Sequence, residues 1–300
     1  MARPFENVPL KEHYSRAELH TIMQRERANL DAMLKQSGAP SVTGRELFLQ
    51  TQAGTIRVLG YRMEHPGVLP LVINLHGSGF VMCHAEMDDP YMPQLADLAD
   101  ARILSVDYSL APEYPFPQAL LECQGILRYV QEHSAELGID PLRIAVIGHS
   151  AGGNLAAALC ISEMRTPLPY PLCCIVLDYP PLDIYTVQKV ERPVNEEIIS
   201  RIYNESYVPE REDRKNPLVS PVFADARELS GFPPTLVVTA GYDSLCPEAM
   251  SFTHRLAEQG VEVTVRCFLH ASHGFTHSSA ADAEAAWQLM GRFLHSHFEH

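Results

Sequence analysis

Apolar residues fall along this chain in two rhythms: short solid runs, and longer stretches in which they recur every three or four positions. The solid runs predict strands at Leu69-Pro70-Leu71-Val72-Ile73-Asn74-Leu75, Ala101 to Tyr108, Arg143 to Ile147, Cys174 to Asp178 and Thr235 to Ala240, and Val261 to Phe268 reads as a further strand. Helical patterns separate them. One lies between Leu75 and Ala101, one across Ala119 to His133, one from Leu155-Ala156-Ala157-Ala158-Leu159, one through Arg255 and Leu256, and a last from about Ala280. Such alternation predicts an α/β fold with a mainly parallel central sheet, helices on both faces, and ligand sites beyond the carboxyl ends of the strands. From Glu46 to Arg62 the pattern is shorter and β-like, with Ala53-Gly54 as the reversal of a hairpin. Ahead of it, Leu19, Ile22, Met23, Leu30, Met33 and Leu34 recur at helical spacing. Between about Asp183 and Asn216 the alternation stops in a charged stretch whose apolar elements are Ile198, Ile199, Ile202 and Tyr203. With no internal repeat or low-complexity linker, the expected organisation is N-terminal helices over residues 1–45 and one core over 46–300, interrupted by an insertion at about 183–216.

Composition narrows the partners. The 300 residues are 46% hydrophobic and 20% charged, enough for a sizeable core. A formal charge of −14 without any Lys/Arg cluster argues against nucleic acid and against anionic membrane surfaces. Seven cysteines form no framework spacing, and Cys173 and Cys174 sit inside a strand pattern, so a reducing compartment is expected. Met1 to Lys11 lacks the apolar core of a signal peptide, and no apolar run is long enough to span a bilayer, which together predict a soluble cytoplasmic protein. No phosphate-binding glycine fingerprint implies a nucleotide cofactor. His295, His297 and His300 crowd the C-terminus without other spaced ligands, so no metal is expected. An edge strand of such a sheet leaves a homodimer open.

The chemistry centres on Arg143-Ile144-Ala145-Val146-Ile147-Gly148-His149-Ser150-Ala151-Gly152-Gly153-Asn154, where a strand pattern turns into a helix pattern. Gly148 and Gly152 flank Ser150 at two-residue spacing, relieving crowding in a sharp turn that lifts the hydroxyl above the sheet. A serine hydroxyl is a weak nucleophile and needs a base, and the base needs an orienting carboxylate. Asp243 and His273 follow in that order, each just beyond a predicted strand end. Asp178 and Asp183 compete for the acid and His270 for the base, while His149 reads as structural. His76-Gly77-Ser78-Gly79-Phe80, after the first long strand, supplies a loop whose N–H groups can join that of Ala151 in holding an oxyanion. Cys83 and Cys246 read as wall residues, since neither occupies a comparable turn.

These motifs resemble the hormone-sensitive-lipase-type esterases (bacterial family IV type) of the α/β-hydrolase fold. The likeness runs from His76-Gly77-Ser78-Gly79-Phe80 through Tyr108-Ser109-Leu110-Ala111-Pro112-Glu113-Tyr114-Pro115-Phe116-Pro117 and Gly148 to Asn154, to Asp243-Ser244-Leu245 and His273-Gly274-Phe275. It implies a carboxylesterase acting on a small-molecule ester of modest acyl length. It also implies a cap built from the N-terminal helices and the insertion, and oxyanion donors at Ser78, Gly79 and Ala151. The sequence departs from the family pattern at Ser78, which replaces a glycine and restricts the backbone angles there, and at His149, where many members carry aspartate. Glu113 reads as a buried structural carboxylate. Two rival activities use the same scaffold: an amidase or peptidase with the same three residues, and a binding protein without turnover, against which the presence of His273 speaks. Met23, Met33, Tyr91, Ile199, Ile202 and Tyr203 are the candidates to line a pocket over Ser150.

Overall fold

The computed structural model describes residues 5, 7–36, 41–186, 194–278 and 280–299. Its helices, in chain order, are α1 (Arg16–Gln36), α2 (Met92–Ala99), α3 (Gln118–Glu132), α4 (Ser134–Leu137), α5 (Ala151–Arg165), α6 (Val194–Tyr207), α7 (Ala226–Ser230), α8 (Cys246–Glu258) and α9 (Ala281–Phe298). The strands are β1 (Arg45–Thr51), β2 (Gly54–Tyr61), β3 (Leu69–Leu75), β4 (Arg102–Val106), β5 (Ile139–His149), β6 (Cys174–Asp178), β7 (Thr235–Ala240) and β8 (Val263–Phe268). They form one eight-stranded sheet in the order β1-β2-β4-β3-β5-β6-β7-β8. Every pairing from β4 to β8 is parallel, and β2 runs antiparallel to both its neighbours, closing the predicted hairpin with β1.

The solid apolar runs follow from burial on both faces, since β3, β4, β6 and β7 lie wholly inside. Leu71, Ile73 and Leu75 of β3 face one core with Leu155 and Leu159 of α5 and Phe252 of α8. Val72 faces the other, with Leu95 of α2 and Trp287 and Met290 of α9. Each such aliphatic side chain contributes about 1.5–3 kcal/mol by leaving water, and the sheet is thereby clamped between two helical layers. β8 is the exception: as an edge strand it leaves Thr264, Val265 and Arg266 exposed.

Among the described residues a single helix, α1, precedes the hairpin, and the apolar pattern overstates its buried face. Leu19 and Met23 are buried where α1 meets α6, but Met33 and Leu34 are exposed near its end. Periodicity reports which residues share a face, not how far the opposing surface extends. In the insertion, α6 buries Ile198 and Ile202 in the main core, while residues 187–193 lie outside the described ones.

Candidate active site

The strand ends set the stage. Ser150 closes β5 and opens α5 with φ 50° and ψ −117°, a conformation that costs a non-glycine residue on the order of 1–3 kcal/mol. The surroundings enforce it. A side-chain carbon on Gly148 would collide with the backbone of Gly152, and one on Gly152 would collide with the carbonyl of Leu75, so α5 presses directly onto the ends of β5 and β3. The Ser150 N–H donates to the Asp178 carbonyl at 2.8 Å, tying the turn to β6.

Two further strand ends bring the partners. Asp243 follows β7, and His273 follows β8 on a loop relaxed by Gly274 at φ 76°. The Ser150 Oγ lies 2.9 Å from His273 Nε2, and His273 Nδ1 lies 2.7 Å from Asp243 Oδ2. Asp243 Oδ1 accepts the Leu245 N–H at 3.0 Å. A carboxylate can only accept, so it draws the proton to Nδ1 and leaves the Nε2 lone pair facing the serine hydroxyl. The Asp243 side chain is 3% exposed and the His273 ring 43%, so the acid is dry and the base opens outward.

The loop after β3 packs against this turn. A carbon on Gly77 would sit 3.2 Å from the His149 carbonyl oxygen and 3.5 Å from Ser150 Cβ. The fully buried His76 ring stacks on Tyr108 with centroids 4.1 Å apart, and the Tyr108 hydroxyl donates to the His76 carbonyl at 2.7 Å. Burial pushes the His76 pKa down, favouring its neutral ring. Ser78 takes φ 126° and Gly79 φ 63°, so the backbone adopts here, with a serine, the region that favours glycine. The Ser78 carbonyl accepts from Val81 and Met82 at 3.3 and 3.2 Å. Among the described residues, the N–H groups of Ser78, Gly79 and Ala151 donate to no backbone carbonyl.

The rivals fall elsewhere. Asp178 bonds His149 Nδ1 at 2.8 Å, and Asp183 accepts the N–H groups of Tyr185 and Thr186. His270 contacts the Tyr242 hydroxyl at 3.3 Å on the surface. His149 is indeed inward and buried. Glu113 is half-buried rather than buried, because it pairs with Arg27 at the edge of α1. Burial pushes the Cys83 thiol up to about 11 and raises that of Cys246, and all seven cysteines are free thiols. His300 lies outside the described residues, and no helix among them is long and apolar enough to cross a membrane.

Of the six pocket candidates, Tyr203 reaches the site. A carbon on Gly79 would overlap its ring, and its hydroxyl lies 3.7 Å from the Met82 sulfur. Met33 is exposed, Met23 and Ile202 are core residues, Ile199 packs at the core's edge, and Tyr91 stacks on Trp287 at 5.1 Å. Pattern reading also missed a buried polar cluster behind Ser150, comprising Asp88, Asp178, His149, Tyr179, Thr276 and His277. No spacing joins Asp88 to residues 189 positions away. Burial opposes ionisation of Asp88, but His149 and the hydrogen bond from His277 outweigh it and hold the carboxyl below its usual range. Burial likewise works against a charged His149, yet Asp88 and Asp178 raise its pKa.

Comparison with known proteins places these features in company. A family described as the alpha/beta hydrolase fold matches residues 72–277. An arylesterase of Saccharolobus solfataricus is 32% identical over 201 residues, covering 64% of this chain and 63% of that protein's length. The carboxylesterase NlhH of Mycobacterium tuberculosis is 33% identical over 233 residues, covering 75% of this chain and 72% of NlhH. Among solved structures, a hyperthermophilic esterase from Pyrobaculum calidifontis superposes with a TM-score of 0.82 at 30% identity, covering 93% of each chain.

Proposed function

The chain belongs to the α/β-hydrolase family, in its hormone-sensitive-lipase-like branch, and on that footing we propose that it is a serine carboxylesterase cleaving small to medium acyl esters through an acyl-enzyme. The observation that carries the reading is the contiguous hydrogen-bonded line from Asp243 through His273 to the strained Ser150. In the proposed reaction, His273 Nε2 takes the hydroxyl proton as Ser150 Oγ attacks the ester carbonyl carbon. The N–H groups of Ser78, Gly79 and Ala151 hold the oxyanion, each such donor being worth roughly a hundred- to thousandfold in rate. The tetrahedral intermediate collapses, the C–O bond breaks, and the alcohol leaves with the proton from His273. Water then attacks the acyl carbon as its proton passes to the same nitrogen, the bond to Ser150 Oγ breaks, and His273 returns the proton to that oxygen as the acid leaves. Asp243 stays ionised throughout and stabilises the imidazolium. Residues 1–45 and 183–216 act as a cap, with Tyr203 limiting the space above the oxyanion loop.

Initial rates on nitrophenyl esters of increasing acyl length, with a matched nitroanilide alongside, test the reading. Turnover of short and medium esters, slow cleavage of the anilide, and loss of both in Ser150→Ala are expected. Anilide cleavage as fast as the ester would instead mark an amidase, and ester turnover surviving Ser150→Ala would refute a serine mechanism.

A further inference from the structure

The His273 ring hangs on a loop, half-exposed, and among the described residues its hydrogen bonds run only along its own plane to Asp243 and Ser150. A neighbour lies against it. The Tyr179 ring meets it edge-on, centroids 4.9 Å apart at 64°. Tyr179 follows β6 at φ 39°, a strained angle for a bulky residue, and is 3% exposed. Its N–H donates to the Val238 carbonyl at 2.8 Å, and its hydroxyl lies 2.7 Å from Thr276 Oγ1 and 2.8 Å from His277 Nδ1.

The directions of these bonds can be worked out from the carboxylates inward. Asp178 Oδ2 accepts from His149 Nδ1 and from the Thr276 hydroxyl, both at 2.8 Å. Having spent its proton on Asp178, Thr276 accepts from Tyr179, and the Tyr179 oxygen also faces His277 Nδ1 at 2.8 Å. On its other side, His277 Nε2 reaches Asp88 Oδ1 at 2.7 Å, while Asn74 donates to Asp88 Oδ2 at 2.7 Å. The chain therefore runs without a gap from Asp88 to His149. It ties together β3, the segment before α2, β6 and the loop after His273. The Trp287 indole N–H pins the same loop by donating to the Thr276 carbonyl at 2.9 Å.

We propose that Tyr179 is a positioning residue for His273, its ring holding the imidazole in line between Ser150 and Asp243 while the buried chain from Asp88 to Asp178 holds the ring. The inference rests on the hydrolase reading for its kinetic consequence, and on the geometry alone for its structural one. A connected buried hydrogen-bond network couples the groups it joins, so removing one link is felt by the others.

The test compares Tyr179→Phe, Thr276→Val, Thr276→Ser and the Tyr179→Phe/Thr276→Val double variant. Each of the first two lowers kcat on a nitrophenyl ester roughly ten- to hundredfold through misorientation, with KM unchanged. Thr276→Ser keeps the hydroxyl and recovers most of the rate, and the double variant is no slower than the slower single one. If Tyr179→Phe folds poorly, Thr276→Val against Thr276→Ser decides alone. Wild-type kcat in both hydroxyl-deleting variants, or multiplicative losses in the double one, would overturn the proposal. Imidazole-nitrogen NMR of His273 is read independently of turnover. One sharp Nδ1–H tautomer in the wild type that becomes broadened or mixed in Thr276→Val supports positioning, and identical spectra contradict it. A wild type without ester turnover sinks the hydrolase reading alone, and the spectra still decide this one.

Discussion

Around Ser150 the backbone is packed so closely that one added carbon on Gly148 or Gly152 meets a neighbouring carbonyl, whereas α6 meets the oxyanion loop through the ring of Tyr203 against Gly79. The floor of the site is fixed by main-chain contacts between β3, β5 and α5. The roof is fastened by side chains. Glu205 accepts the Tyr14 N–H at 2.8 Å, Arg201 donates to the carbonyls of Lys11 and Glu12, and Arg27 donates to those of Val81 and Ala111. Backbone contacts tolerate almost no substitution, while side-chain fastenings can be exchanged for others of similar reach. On the proposed reading, the floor is where the reaction is set and the roof is where acyl groups are sorted.

Four variants can break or sharpen that division. The largest loss is expected in the floor's charge line: Asp243→Asn leaves the shape intact but favours the wrong His273 tautomer, lowering kcat by about ten-thousandfold in steady-state ester assays. Gly152→Ala comes next, since the elbow must move away from the Leu75 carbonyl. A drop of roughly a hundredfold in kcat, with about 1–3 kcal/mol lost in urea unfolding from overpacking, is expected, and near-wild-type values would mean that the floor is not tight. Tyr203→Ala should leave short-ester kcat within about threefold and raise kcat/KM for longer acyl chains about tenfold, a gain equal to about 1.4 kcal/mol of added binding. Equal losses on every chain length would place Tyr203 with the floor.

The smallest effect is electrostatic. Beyond β4, burial works against ionising Asp107, but His84 and Arg57 outweigh it and lower its pKa to about 2. Because the folded value is depressed, its contribution is fully present above the unfolded value of about 3.9 and is lost as pH falls toward the folded one. Asp107→Asn should cost on the order of 1–3 kcal/mol in denaturant melts near neutral pH, a gap that closes with acidification. A gap that stays constant down to the acid limit would contradict the assignment.

The same division governed what could be read from residues alone. Strands β3 to β7 were legible because burial on both faces writes solid apolar runs, and Ser150 and Asp243 because each follows such a run, while His273 follows the exposed edge strand β8. Gly148 and Gly152 were legible because close backbone contact admits only glycine. The roof was not. Met33 shares the helical period of Met23 but overhangs the surface it was expected to cover, and Tyr91 turns to Trp287 instead of Ser150. Nor was the cluster linking Asp88 to His277, since hydrogen bonds across a folded core leave no periodic trace in the chain.

The most direct measurement of the central claim is intact-protein and peptide mass spectrometry after treatment with a fluorophosphonate, paired with ester turnover. One adduct on Ser150 in the wild type, none in Ser150→Ala, and a loss of turnover in that variant on the order of a millionfold are the results predicted. An adduct on another residue, or ester hydrolysis that persists in Ser150→Ala, would contradict it.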